Sequence, residues 1–284
     1  MKIKNLEYEI LKELKHDSRR RHVVLILSRN NTKYFYKELN YKGGKRRFRE
    51  QIYFQKKVIQ CGINVRLPKL YDYELGEKSW TLWEYLPGPH LADKKPINVR
   101  QLDRWLEPIV ESLLELEKVK PSTSTYDIVD RLILEVSRWS RALIKKGIWT
   151  EDYQSKLVQI IENNRAKIIT GFNHSDFVPW HMHEIKFPVF ALVDYENCKN
   201  KPKYYDLVYF FHRVYINLGQ PKLAEGFINI FKQKAQVSKD FENIFKSILV
   251  HRVSAGLYEH YYLNDKTNIR FHNNLLGRLL RPSK

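Results

Sequence analysis

Cysteine, glycine and acidic residues are all scarce. Cys61 and Cys198 are the two cysteines among 284 residues, too few for a disulfide framework and without paired zinc spacing. Both read as small buried hydrophobes suited to a reducing compartment. Glycine occurs eleven times. The one tempting phosphate loop, Lys42-Gly43-Gly44-Lys45, is preceded by Leu39 and followed by Arg46, where a P-loop needs glycine and then serine or threonine, so that class is excluded. No apolar run approaches the ~18 residues of a membrane span. The opening MKIKNLEYEILKELK carries charges where a signal peptide needs an apolar stretch, and a cytoplasmic location is expected. Asp and Glu number 32 against 50 Lys and Arg, a formal charge of +18.

A 43% hydrophobic content over this length supports one large domain or two lobes with real cores. Residues 174–198 read HSDFVPWHMHEIKFPVFALVDYENC. Asp176 sits in a short polar turn opened by His174 and closed by Pro179-Trp180. Phe187 to Val193 is an apolar, β-prone run ending at Asp194, so two carboxylates are expected to meet at one end of a hairpin. Phosphoryl transfer needs such a pair: one carboxylate takes the acceptor's proton and the other holds the cation that bridges the phosphates. Upstream, Glu7 to Leu14, His22 to Ser28 and Lys33 to Leu39 read as three antiparallel strands, the third carrying Lys37. Arg46 to Gln60 has helical apolar spacing and presents Glu50. Trp80 to Leu86, then Pro87-Gly88, reads as a further strand and a turn. Helical patterns follow over Asn98 to Val119, Tyr126 to Lys146, Glu151 to Ile168, Val208 to Gln236 with a break at Gly219-Gln220-Pro221, and Asp240 to Leu263.

The frame His174-Ser175-Asp176, two residues, Pro179, one residue, His181 resembles the catalytic loop of the aminoglycoside phosphotransferase and choline kinase-like family. Leu192-Val193-Asp194-Tyr195-Glu196 is similar to its metal-binding strand end, and Tyr205-Asp206-Leu207 to its Tyr-Asp-Leu segment. The resemblance implies an α+β, protein kinase-like bilobal fold: a small antiparallel β lobe with one helix over 1–83, a hinge over 84–90, and a mainly helical lobe over 91–284 containing the catalytic loop 174–181 and the strand end 192–196. It implies ATP-dependent transfer of a phosphoryl group to a hydroxyl. Asp176 is then the catalytic base, and Asp194 and His181 the metal positions. Lys37, Glu50, Glu84 and Leu86 bind nucleotide, Lys37 paired to Glu50 and the hinge backbone contacting adenine. His174 and Asp206 support the loop. The implied cofactors are ATP and Mg2+. The departure is His181, which stands where the family has asparagine; magnesium prefers hard oxygen ligands and imidazole suits first-row transition ions, so the expectation is weakened Mg2+ binding, a preference for Mn2+, or one metal position left empty.

Two other readings stay open. A catalytically weak relative would bind nucleotide or a partner without efficient transfer, with His181 as its warrant. A metallohydrolase would use His174, Asp176, His181 and His183. The net charge argues for an anionic or neutral acceptor, a sugar, glycolipid or other small molecule, over a cationic one. The basic clusters Arg19-Arg20-Arg21, Lys42 to Arg49, Lys199 to Lys203 and Arg278 to Lys284 also suit peripheral contact with an anionic membrane surface. Nucleic acid is disfavoured because no reading motif accompanies the charge.

Overall fold

A computed structural model describes residues 1–17, 22–39, 43–76, 78–92, 99–122 and 127–280. Arg19 to Arg21, Lys42, the expected helix starts at Asn98 and Tyr126, and the last four residues of the basic tail lie outside them. The elements run in chain order as β1 (Lys2–Ile3), β2 (Leu6–Glu7), β3 (Glu9–Asp17), β4 (His22–Arg29), β5 (Thr32–Leu39), α1 (Gly44–Gln60), β6 (Leu70–Leu75), β7 (Ser79–Glu84), α2 (Val99–Asp103), α3 (Leu106–Glu117), α4 (Ile128–Lys145), α5 (Glu151–Glu162), β8 (Thr170–Asn173), β9 (Met182–Lys186), β10 (Val189–Leu192), β11 (Lys199–Pro202), α6 (Tyr205–Ile216), α7 (Pro221–Ala235), α8 (Phe241–Tyr262) and α9 (Lys266–Leu279). They group into two compact units: Met1–Leu91 with His181–Cys198, and Ala92–Trp180 with Lys199–Lys284.

Unit 1 is built on a five-stranded antiparallel sheet of order β3-β4-β5-β7-β6. Alternation along β5 explains the placing of its key residue. Tyr36 joins Leu25, Leu27, Trp80 and Leu82 in the core of one face, so Lys37, one residue on, points to the other. There it lies opposite Val24 and Thr81 in the ladder and is buried. Helix α1 offers Phe48, Ile52, Phe54 and Val58 as its buried stripe, the 3.6-residue period of an amphipathic helix. The first strand begins two residues later than its apolar pattern suggests, because Lys2–Ile3 and Leu6–Glu7 pair with each other and β3 carries register shifts at Ile10/Lys12 and Glu13/Lys15.

The hairpin β9–β10 belongs to unit 1, whereas sequence places it in the C-terminal lobe. Its hydrogen bonds explain the difference. Glu184 N donates to Pro89 O at 2.9 Å, Leu91 N to Met182 O at 2.9 Å, and Leu192 N to Arg66 O at 2.9 Å. The chain after β7 passes so close that a Cβ at Gly88 would lie 1.7 Å from Glu184 O, so only glycine fits. Tyr195, at the end of the hairpin, is fully buried, stacked on Phe54 with centroids 4.9 Å apart and edge-on to Trp83 at 5.8 Å.

Unit 2 is mainly helical. Asp127 caps α4 by accepting from Val129 N at 2.7 Å and Asp130 N at 3.3 Å, and Thr150 caps α5 through Tyr153 N at 3.3 Å, as short polar residues at helix starts do. The ladder β8–β11 pairs Asn173 with Lys199 and Thr170 with Pro202. The expected helix over Asn98 to Val119 is interrupted between α2 and α3, and α9 had no counterpart in the sequence reading. The α+β architecture expected from the family resemblance is therefore present: a small antiparallel sheet with one long helix, and a larger helical unit.

Candidate functional site: two half-sites

In unit 1 the functional side chains converge on Lys37. Its Nζ donates to Asp194 Oδ1 at 3.0 Å and makes a shorter contact with Glu196 Oε2. Burial works against the ammonium's charge, but the two carboxylates outweigh it and hold its pKa above the ordinary lysine value. Arg47 from α1 donates to the other oxygen of Glu196 at 2.7 Å. The expected partner of Lys37 was Glu50; instead Glu50 accepts from Arg46 at 3.3 Å on its own helix. The reason lies in the helix register. Phe48, Gln51 and Ile52 take the buried side of α1, so α1 brings a cation, Arg47, to the cluster, and the anion comes from the strand end as Glu196. Glu196 and Arg47 are the site residues that sequence reasoning did not assign. Glu196 was legible as a carboxylate two residues past Asp194; Arg47 was hidden in a basic run.

Asp194 follows β10 with φ 60°, a left-handed conformation that costs a non-glycine residue about 1 kcal/mol or more and is concentrated at functional sites. Its Oδ2 lies 3.5 Å from His181 Nε2, and Val193 N donates to His181 O at 2.9 Å. The hairpin thus brings the two proposed metal positions together, one at each of its ends. Glu84 closes β7, and its carboxylate accepts from Lys69 N at 2.9 Å and pairs with Arg66. Burial of the Glu84 carboxyl opposes those donors, which nevertheless lower its pKa. Leu86 is half-buried in the following segment.

In unit 2, Asp206 on the first turn of α6 grips the loop that carries Asp176. His174 N donates to Asp206 Oδ2 at 2.6 Å and Ser175 N to Oδ1 at 2.8 Å. Asp206 N in turn donates to Asn173 Oδ1 at 3.3 Å. His174 is fully buried, and its Nδ1 accepts from Asp176 N at 3.2 Å. Ser175 and Tyr204 have φ 67° and 68°, so two strained positions flank this clamp. Burial raises the Asp206 carboxyl to about 7 despite the two backbone donors.

Residues 12–236 match the model of the phosphotransferase enzyme family, which is well over half of the chain. The chain belongs to this family. No curated protein matches its sequence. Among solved structures it is similar to a thermostable mutant of aminoglycoside phosphotransferase APH(4)-Ia in ternary complex with ADP and hygromycin B, at 10% identity and TM-score 0.67 over 97% of this chain and 96% of that one. It is similar to the GDP complex of aminoglycoside 2'-phosphotransferase-IIIa, at 13% identity and TM-score 0.62 over 97% and 93%. It is also similar to choline kinase LicA from Streptococcus pneumoniae, at 14% identity and TM-score 0.61 over 96% and 93%. At these identities the likeness is one of fold.

A phosphotransferase of this kind needs a divalent cation beside the phosphates, and the donor set here fits one. Asp194 offers a carboxylate that is 36% exposed, next to the His181 imidazole. One hard oxygen donor with one nitrogen donor suits a first-row ion such as Mn2+ better than Mg2+. Among the described residues no group of three or more His, Cys, Asp and Glu side chains is arranged to hold a metal. The metallohydrolase alternative finds no support in the same residues. The Nδ1 of His174 is engaged by the Asp176 backbone, and His183 Nδ1 lies 3.0 Å from Gly88 O with its ring 4.1 Å from that of His90. Among the described residues no helix is long and apolar enough to cross a membrane.

Proposed function

We propose that the protein transfers the γ-phosphoryl group of ATP to a hydroxyl of a small molecule, sugar or glycolipid, with Asp176 as base and Asp194 as metal ligand. The observation that carries this is the Lys37–Asp194–Glu196 cluster. A buried ammonium is held by two carboxylates, one of them on a strained turn beside an imidazole, as a preorganised site for phosphate and metal requires. Lys37 neutralises phosphate charge, Glu196 and Arg47 fix its direction, and Asp194 and His181 would hold a divalent ion that would supply charge neutralisation. Asp176 accepts the proton of the attacking hydroxyl, and the Asp206 clamp holds its loop in place. ATP in preference to GTP is part of the same proposal, as are the backbone contacts of residues 84–86 to adenine.

The test is ADP release from ATP with Mn2+ and with Mg2+, measured against a panel of neutral, anionic and cationic hydroxyl compounds. General-base catalysis contributes roughly 10²–10⁴-fold, so Asp176→Ala is expected to lose acceptor-dependent turnover by that factor. Wild-type turnover in Asp176→Ala would remove the assignment. A catalytically weak protein, the reading for which His181 is the observation, would bind ATP and release ADP no faster with any acceptor.

A further inference from the structure

This inference rests on the phosphotransfer reading and concerns what the acceptor carries besides its hydroxyl. In unit 2, α6 presents Tyr205, Tyr209 and Arg213 at four-residue intervals, hence along one face, and Arg252 of α8 lies against that row. Arg252 is 8% exposed. Its Nη1 donates to Tyr205 Oη at 3.1 Å and its Cζ stands 4.3 Å from the centre of the Tyr209 ring. Arg213 Nη2 donates to Tyr209 Oη at 3.0 Å, its Nη1 to Asn217 Oδ1 at 3.2 Å, and its Cζ is 5.1 Å from the same ring. Two guanidiniums therefore share one tyrosine.

Neither guanidinium is satisfied. The Nε of Arg213 and the Nε of Arg252 are both buried with no hydrogen-bond partner. Glu259 reaches within 4.0 Å of Arg213 but is 54% exposed, and among the described residues no carboxylate lies within ion-pair distance of Arg252. A buried guanidinium with unused donors is unfavourable unless something supplies the hydrogen-bond acceptor. Position says what that something is. Tyr205 holds Arg252, and its neighbour Asp206 holds the loop carrying Asp176, so a single turn of α6 ties the arginine to the base. Burial opposes the charge of Arg252, and Tyr205 and Tyr209, followed by the Asp176 carboxylate, hold its pKa up. Lys201 adds a third cation, 5.0 Å from the centre of the Tyr205 ring.

We propose that Arg213 and Arg252 form an anion-binding subsite for the acceptor beside Asp176, and that the acceptor is a hydroxyl compound already bearing a phosphate or carboxylate group. Guanidinium donors match both groups geometrically, and an aminoglycoside would set its ammonium groups against them. The test titrates wild type, Arg213→Gln and Arg252→Gln with glucose 6-phosphate, gluconate and glucose, and separately titrates wild type with ATP and Mn2+. At least one anionic probe is expected to bind wild type about tenfold or more tightly than glucose, the scale of one charge-assisted hydrogen bond, and the variants are expected to lose that preference. Which anionic probe is preferred separates phosphate from carboxylate. Equal or absent binding of the three probes by wild type, or a preference that survives in both variants, would overturn the subsite. Should Arg252→Gln not fold, Arg213→Gln, at a less buried position, decides alone. Absence of ATP binding by wild type would instead overturn the phosphotransfer reading.

Discussion

Charge is arranged differently in the two units. Around Lys37 the ions neutralise one another: Lys37 with Asp194 and Glu196, Arg47 with Glu196. Around Tyr209 they do so less completely: the carboxylate in reach of Arg213 is the exposed Glu259, and Arg213 and Arg252 keep buried donors unused. A closed network suits a ligand of constant shape, since phosphates and metal enter a site whose geometry is already set. Open donors suit a ligand that brings the missing charge itself. Under the proposed function, unit 1 would be the nucleotide half and unit 2 the half that selects the acceptor.

The contrast can be broken most severely at Asp176, where removal of the base is expected to cost the orders of magnitude in turnover given above while ATP still binds. Next comes Glu196, whose side chain is 8% exposed and holds both Lys37 and Arg47. Glu196→Ala leaves a buried ammonium with half its partners, and losing one member of a buried pair costs about 3–5 kcal/mol. Denaturant unfolding of the variant reads this directly, and a loss under about 1 kcal/mol would show that the cluster is not a closed network.

Unit 2 is expected to respond to pH through Glu117, which burial raises to about 7 although Lys203 lies 3.8 Å away and opposes the shift. Between about pH 4.5 and 7 the folded state keeps the proton that the unfolded state has released. That contribution to stability is fully present below the unfolded value and is lost as pH rises through the folded one. Glu117→Gln should flatten the corresponding fall in stability by about 2 kcal/mol across that window. An unchanged slope in chemical denaturation would contradict the assignment. The smallest effect is expected at His181. Replacing its imidazole with an amide oxygen should move metal preference toward Mg2+, with the ratio of Mn2+- to Mg2+-supported turnover falling by roughly tenfold; an unchanged ratio would place His181 outside the metal's reach.

Sequence showed the fold class through the family resemblance, and the two periods placed its elements. Residues of β4 and β5 read as strands, and α1, α4 and α8 as helices, within a few residues of where they lie. It showed Asp194 with His181, and Asp206 with the loop of His174, through the family resemblance. It misplaced the partner of Lys37, since a helical carboxylate such as Glu50 looks the same in sequence whichever side of α1 it occupies. The side is set by Phe48, Gln51 and Ile52 packing inward. The hairpin's allegiance to unit 1 was equally hidden, because it depends on backbone hydrogen bonds to the carbonyls of Pro89 and Arg66 and from the amide of Leu91, and on the room left at Gly88. Arg213 and Arg252 fall 39 residues apart on two helices, and nothing local in either helix marks them as a pair.

The most direct measurement is calorimetric titration of ATP with Mn2+ into wild type and Lys37→Met. A charge-assisted contact to phosphate contributes about 1.5–3 kcal/mol, so the variant should bind roughly ten- to a hundredfold more weakly. Equal affinity in the two proteins would mean that the ammonium between Asp194 and Glu196 is a structural ion pair, and that unit 1 does not hold the nucleotide through it.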